Sequence, residues 1–490
     1  MATRIQRQAG LADVTADRLR RRTWPILGTL LFVCLGTVYF FRWGSVVRGQ
    51  PSSWVSPDDL WSTFVAAVAF SHGHFSAIYK SSTGFLAFPG ILILLAPVAA
   101  LSGSLNTTVV EIAHHHHPLQ QPQTFVIHGT PDLHTYLLTS GGNQYFAHPQ
   151  ALLLLGPYTL LLSCSALFAC DALAERLGVA WSRRAVLVLA EAAALWNVSV
   201  FWGHPEDAVS VALALYGVVF ALDDRWVGAG WLFGLAFAMQ PLVIVILPVL
   251  LFMSGRQRAL TLVLRGVIPA AVITIPPLVA NIHATVHTLT SQPAYPRRPA
   301  NHRTPWAALA PTLGGKGGDT TIGGGPVRLI ALALAVVVGW WSQRWRNKPE
   351  MLVWAMAVAL ALRCFTESVM TAYYVWPALA VALVVAARGS TRRFVVAIVV
   401  AISTTIVAQW HLGEWPWWSL DMAGVAGLLV VSIRPEPSAV PDARERSSPV
   451  RGVSARNRLP ASSPRRQTSQ RAVSQKKSQK KSQRKRKTGR

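Results

Sequence analysis

The sequence predicts an all-α, polytopic membrane protein of about 11–13 spanning helices, since about 20 residues cross a hydrocarbon core, ending in a basic, disordered tail. Three observations predict it. Of 490 residues, 52% are hydrophobic and only 14% charged, with 19 tryptophans, a balance that excludes a soluble two-domain enzyme. Long apolar stretches recur along the chain. Basic residues gather at the ends of those stretches and, above all, after the last one.

The first stretch, 24–42, follows Arg18, Arg20, Arg21 and Arg22, which assigns residues 1–23 to the cytoplasm. It has no small-residue cleavage site, so it reads as a retained helix and not as a signal peptide. Asp58 and Asp59 follow in a polar loop, on the outer face by the same rule. A charge beside a bilayer is costly, and catalysis at the membrane surface is one reason to keep it there. The other is a helix start, because Ser56-Pro57-Asp58-Asp59 before an apolar run is a good N-cap signal.

Further stretches lie near 85–103, 151–173, 184–202, 208–222, 226–253, 260–282, 327–343, 351–368, 370–387, 394–410 and 416–433. Arg176, Arg183, Arg184, Arg225, Arg256, Arg258, Arg344, Arg346, Lys348, Arg388, Arg392 and Arg393 are cytoplasmic on the positive-inside rule. The parity works if 226–253 is a bent hairpin broken around Gln240-Pro241 and Pro248. It also requires that 85–103, with Pro89 and Pro97, be re-entrant or surface-lying, the alternative being a hidden third crossing. The outer segments are then 43–150 and 283–326, within a membrane domain spanning 24–433.

The net charge of +25 is concentrated in the tail. Residues 434–490 hold 18 Lys or Arg against Glu436, Asp442 and Glu445, which is 15 of the 25. Such a segment cannot bury a core. It reads as a cytoplasmic tail attracted to anionic lipid, with nucleic acid the weaker reading of the run from Lys476 to Lys487. Cys34, Cys164, Cys170 and Cys364 fall in apolar segments and read as small buried hydrophobes, not a disulfide framework.

Four consecutive residues cannot all face one ion, so His114 to His117 are not read as a metal site. No metal or cofactor is expected. The stretch Gly314 to Gly318, followed by Gly323 to Gly325, lacks the Walker spacing and reads as a loop.

The remaining polar residues converge on one side of the membrane. Trp202-Gly203-His204-Pro205-Glu206-Asp207 reads as an outer hairpin turn. Arg363 and Glu367, four apart, share a helix face near the outer end of 351–368. Tyr373 and Tyr374 begin the next span, and Arg297, Arg298, His302 and Arg303 lie in the outer loop. Each group has a structural alternative: a polar cap on the hairpin for 204–207, and an intramembrane ion pair for Arg363 and Glu367.

The order of motifs resembles a known family. Asp59-Leu60 is followed by His-Gly-x-Phe-x-x-Ile-Tyr (His72 to Tyr79), Phe-Leu-Ala-Phe-Pro-Gly (Phe85 to Gly90) and an apolar run with Pro97. After the turn at Trp202-Gly203 come Gly228 to Pro248 with Met239-Gln240-Pro241, then Glu367 to Met370, Tyr373-Tyr374 and Pro377. Over roughly residues 20 to 430 this resembles the GT-C superfamily of integral membrane glycosyltransferases, most closely the actinobacterial polyprenyl-phosphate-mannose-dependent alpha-mannosyltransferases.

The resemblance implies a multi-pass plasma-membrane enzyme moving a sugar, mannose in those relatives, from a polyprenyl-phosphate donor to a lipid or glycan acceptor on the extracytoplasmic face, with inversion. An outer-loop aspartate is the general base, which carries over to Asp59 or its neighbour Asp58. Arg363, Arg297, Arg298, Arg303 and His204 are the candidates to receive the leaving phosphate, with Glu206, Asp207, Glu367 and Tyr373 completing the substrate site. The chain departs from the family at His204-Pro205-Glu206-Asp207, where a shorter neutral turn is expected, and in its long His-rich insertion from 104 to 149. The alternative from another class is a transporter or flippase, which Glu191, Arg363 and Glu367 within spans would suit. A noncatalytic scaffold recruiting partners through its tail has no need of the two aspartates.

Overall fold

A computed structural model of the chain describes residues 19–40, 58–79, 85–101, 107–113, 123–128, 144–149, 152–290, 294–296, 304–307, 312–313, 320–322, 327–410 and 414–433. The tail, the run His114 to His117, the glycine-rich stretch, and Arg297, Arg298 and Arg303 lie outside the described residues. Asp58 is described in its backbone only.

The membrane body is all-α. Its helices, in order, are α1 (Thr23–Val38), α2 (Asp58–Ser71), α3 (Gly90–Leu101), α4 (Leu152–Ser163), α5 (Ser165–Arg176), α6 (Trp181–Trp196), α7 (Pro205–Leu222), α8 (Trp226–Met239), α9 (Leu247–Met253), α10 (Arg256–Ala280), α11 (Ile282–Thr290), α12 (Val327–Ser342), α13 (Pro349–Thr366), α14 (Trp376–Ala386), α15 (Thr391–Gln409) and α16 (Glu414–Ser432). Six helical stretches among the described residues are long and apolar enough to cross a membrane: Leu153–Arg176, Trp181–Phe201, Pro205–Leu222, Arg256–Ala280, Pro349–Thr366 and Thr391–Gln409. The protein is therefore a multi-pass membrane protein. Others of the expected spans are shorter apolar helices, among them α1 and α8. Burial separates centre from periphery: the apolar window of α7 is 72% buried and that of α10 only 17%, so α10 turns most of its surface to lipid.

The basic residues meet at one end of the bundle. Arg22 pairs with Asp171 at 2.5 Å and Glu175 at 2.9 Å, and Arg184 reaches the same Asp171 at 2.7 Å. Arg176 pairs with Asp223, Arg258 with Asp224, and Arg388 with Glu350. Arg183 donates to the Gly389 carbonyl and Arg346 to that of Phe252. These contacts fix the direction of the chain: α7 descends to this end, and α13 rises from it. The pair Arg258–Asp224 also brings the two feet of 226–253 together. That stretch bends where Gln240 leaves the helix, at φ −154° and ψ 123°, and Pro241 opens a short 3-10 turn to Ile246. Proline cannot donate to the turn before it, so the helix stops there.

Helix α8 packs closely on α10 because both are small at the crossing. A Cβ at Gly234 would lie 2.0 Å from the Gly266 carbonyl oxygen.

At the opposite end, α2 and α3 enclose a second, smaller core of Leu60, Phe64, Ile91, Leu92, Leu95, Leu155 and Met239. Tyr158 donates to the Leu94 carbonyl at 2.8 Å, and a Cβ on Gly90 would meet the Ala238 carbonyl oxygen at 2.5 Å. Helix α3 has 12 residues, about 18 Å at 1.5 Å per residue. That is short of a crossing, and these contacts keep it at this end of the bundle.

Two small antiparallel sheets accompany the helices and were not read from the sequence. In the first, β1 (Thr107–Ala113) lies between β2 (Gln123–His128) and β3 (Gln144–Pro149), with Val109 opposite Val126 and Glu111 opposite Phe146. In the second, β6 (Thr320–Ile322) lies between β4 (Ala294–Pro296) and β5 (Thr312–Leu313). Strands of two to seven residues give little periodicity to detect.

Candidate active site

A cavity of about 290 Å3 opens at the end of the bundle away from the ion pairs of Arg22, Arg176, Arg184, Arg258 and Arg388, lined by Asp59, His204, Glu206, Asp207, Gln240, Arg328, Arg363, Glu367, Tyr373 and Tyr374 among others. These side chains come from the start of α2, the approach to α7, the break after α8, the end of α13 with the turn before α14, and the first turn of α12.

The first part is the start of α2. Asp59 lies in its first turn with its side chain 47% exposed, and its Oδ2 is 3.0 Å from His204 Nε2. Its carbonyl accepts from Thr63 Oγ1 at 2.9 Å.

The second is the approach to α7. Helix α6 runs into a π-helical turn, Asn197–Phe201, and Gly203 then takes a left-handed φ of 70°, which costs glycine little. His204 N donates back to the Val198 carbonyl at 2.9 Å. Pro205 occupies the first helical position, so Glu206 and Asp207 fall in the first turn of α7. The sequence reading put them in a connecting turn. They extend the helix because proline is preorganised at its start and carboxylates complement the dipole there.

His204 joins the two parts. Its Nδ1 lies 2.6 Å from Glu206 Oε1, and its ring rests on Tyr373, with centroids 4.2 Å apart. Burial opposes charge on the imidazole, but Glu206 and Asp59 outweigh it and hold its pKa well above the usual histidine value. As an imidazolium it donates from both nitrogens, one to each carboxylate.

The third part is the break after α8. Gln240 Nε2 donates to Asp207 Oδ1 at 2.8 Å. Ser210 Oγ lies 2.8 Å from Ala236 O, which also accepts from Gln240 N, and 3.0 Å from Gln240 O at the break. A broken helix within a membrane needs such partners.

The fourth is cationic. Arg363, in the last turn of α13, lays its guanidinium over Tyr374 at 4.0 Å from the ring centroid and has its Nε 3.5 Å from Glu367 Oε2. Glu367 is not inside the helix, as the four-residue spacing suggested. It is the C-cap, in extended conformation at φ −65° and ψ 136°, and it is 2% exposed. Its Oε1 accepts from Arg328 Nε at 2.9 Å. Tyr373 and Tyr374 belong to the 3-10 turn Ala372–Val375 that precedes α14.

Arg328 escaped the sequence reading. Its signal was present: a cation in the first turn of α12 opposes the helix dipole, so its position needs a compensating partner. Of the predicted site residues, Asp59, His204, Glu206, Asp207, Arg363, Glu367 and Tyr373 come together here. Among the described residues no group of three or more His, Cys, Asp or Glu side chains is arranged to hold a metal ion.

An apolar groove of about 410 Å3 adjoins the cavity, lined by Phe88, Phe233, Phe237, Leu247, Leu262 and Val267 among others. Ile244, from the turn that breaks 226–253, lines both. The groove runs along α10, the least buried of the six long apolar helices.

No model of a known protein family matches the chain, and no curated protein matches it. The resemblance to the GT-C superfamily therefore rests on the motifs quoted above.

Proposed function

We propose that the chain is a membrane glycosyltransferase that moves a sugar, mannose on the strength of the motif resemblance, from polyprenyl phosphate to a hydroxyl of a lipid or glycan acceptor. The arginine-rich end is then cytoplasmic and the cavity extracytoplasmic. One observation carries the reading. A half-exposed Asp59, oriented by a part-buried His204 that Glu206 anchors, lines the same cavity as two arginines.

That combination suits transfer from a lipid phosphate. Asp59 takes the proton of the acceptor hydroxyl as its oxygen bonds to the anomeric carbon. The bond from that carbon to the phosphate oxygen breaks, and polyprenyl phosphate departs with the electron pair. Arg363 and Arg328 meet the charge that develops on it. Attack from the face opposite the leaving group inverts the anomeric centre. His204 engages one carboxylate oxygen of Asp59, which leaves Oδ1 to receive the proton. The apolar groove beside the cavity supports a substrate carrying a hydrocarbon chain.

A transporter or flippase would call for a polar path through the bundle, whereas the ionisable residues of the cavity gather at helix ends on one side.

The experiment is sugar transfer from radiolabelled polyprenyl-phosphate-mannose by membranes containing wild-type chain, Asp59→Asn or Asp58→Asn at equal protein level. Transfer should fall at least about 100-fold for Asp59→Asn, the scale of a lost general base, and persist for Asp58→Asn. Equal transfer by all three would remove both aspartates from the chemistry.

A further inference from the structure

Helix α13 ends at Thr366, and the carbonyls of a final helical turn and of the cap beyond it have no partners inside the helix. Here they are met by a segment 59 to 64 positions away in the chain. Thr304 Oγ1 lies 2.6 Å from Glu367 O and 3.1 Å from Ser368 O, its one proton shared between them. Thr304 N adds a longer contact to Ser368 O at 3.4 Å. Trp306 Nε1 donates to Phe365 O at 2.6 Å. Thr304 is 7% exposed, whereas Trp306 is 40% exposed, so the threonine is the enclosed part of the contact.

The residue held in this way is the hub of the cationic wall. Glu367 is the carboxylate that both Arg328 and Arg363 face, one at each oxygen. Two guanidiniums share this carboxylate, and both line the cavity, where a phosphate could accept from each of them. Where those guanidiniums point depends on where Glu367 sits, and its backbone is fixed by the helix end on one side and by Thr304 on the other.

We infer that the segment 304–307 is a strap that positions the anion-binding wall of the cavity, with Thr304 as its positioning residue. It acts through Glu367 on Arg328 and Arg363 and touches no substrate itself. The inference rests on the reading of that wall as the site for a lipid phosphate. Whatever displaces this strap then weakens anion binding.

The full chain, purified in detergent, is titrated with farnesyl phosphate and with farnesol as the neutral probe of the same hydrocarbon. Thr304→Val keeps the side-chain shape and removes the donor. It should bind farnesyl phosphate about tenfold more weakly, the size of a lost hydrogen bond that leaves its acceptors unmet. Farnesol binding should not change, and Thr304→Ser should restore the phosphate affinity. Amide hydrogen exchange over 363–370 should be faster in Thr304→Val and normal in Thr304→Ser. Wild-type affinity for farnesyl phosphate in Thr304→Val overturns the inference, and if Arg363→Gln still loses affinity the anion reading survives without it. If the wild-type chain does not distinguish farnesyl phosphate from farnesol, the anion reading fails. Exchange over 363–370 then decides the strap alone: faster exchange in Thr304→Val supports it, and unchanged exchange overturns it.

Discussion

Replacing His204 by glutamine should destabilise the folded chain by about 3 kcal/mol, the lower range for breaking a buried ion pair from one side. The magnitude comes mostly from Glu206. Its side chain is 2% exposed and lies 2.6 Å from the imidazole, and its other oxygen, Oε2, has no hydrogen-bond partner among the described residues. Without the imidazolium this carboxylate is left buried with at most one neutral donor. Asp59 contributes less, because its side chain is 47% exposed and an ion pair open to water is worth under about 1 kcal/mol. The assay is equilibrium unfolding by SDS titration from detergent micelles, read by tryptophan fluorescence, for wild type, His204→Gln, Glu206→Gln and the double variant. The double variant should recover most of the loss, since both members of the pair are then neutral. The pH dependence has a definite sign. Because the folded-state pKa of His204 is raised, its stabilisation is complete below about pH 6.5, the unfolded value, and is lost as pH rises through the higher folded value. Wild type should therefore weaken toward alkaline pH in a way that His204→Gln does not. A coupling energy near zero between positions 204 and 206, with parallel pH profiles, would refute the reasoning.

Three further outcomes are expected. Arg363→Gln should lower sugar transfer about 100-fold, the scale of one lost electrostatic donor, while the stability loss stays small because Arg328 still pairs with Glu367; transfer rates and SDS titration check the two parts. Gly234→Ala should destabilise by about 1–3 kcal/mol through overpacking, since its Cβ would lie 2.0 Å from backbone, whereas Gly255→Ala meets nothing within 4 Å and should be neutral in the same titration. Removing residues 434–490 should reduce binding of the detergent-purified chain to anionic vesicles and leave binding to neutral vesicles unchanged, because each basic residue near such a surface contributes about 1 kcal/mol; co-sedimentation measures it.

Much of the body was legible because the signals are local. Apolar length marks the membrane segments, and arginines mark the end at which Asp171, Glu175, Asp223, Asp224 and Glu350 meet them. Gln240-Pro241 marks the bend of 226–253, since proline interrupts a helix wherever it falls in the interior. Boundaries were less secure. The reading stopped the α7 helix short of Glu206 and Asp207, and it left Glu367 inside a helix that ends one residue earlier. The short sheets carry too few residues to register as a pattern.

The site was legible as residue types and not as a constellation. Sequence alone determined the membrane class, the concentration of charge in the tail and the set of unusual polar residues near one boundary, because hydropathy and charge are properties of short stretches. Only the tertiary structure decided that Asp59 meets His204 across 145 positions, that Arg328 joins Glu367 across 39, and that Thr304 caps the end of α13. Those pairings follow from how helices pack side by side, and packing is set by shape and by the need to satisfy every buried polar group at once, which no single stretch of sequence contains.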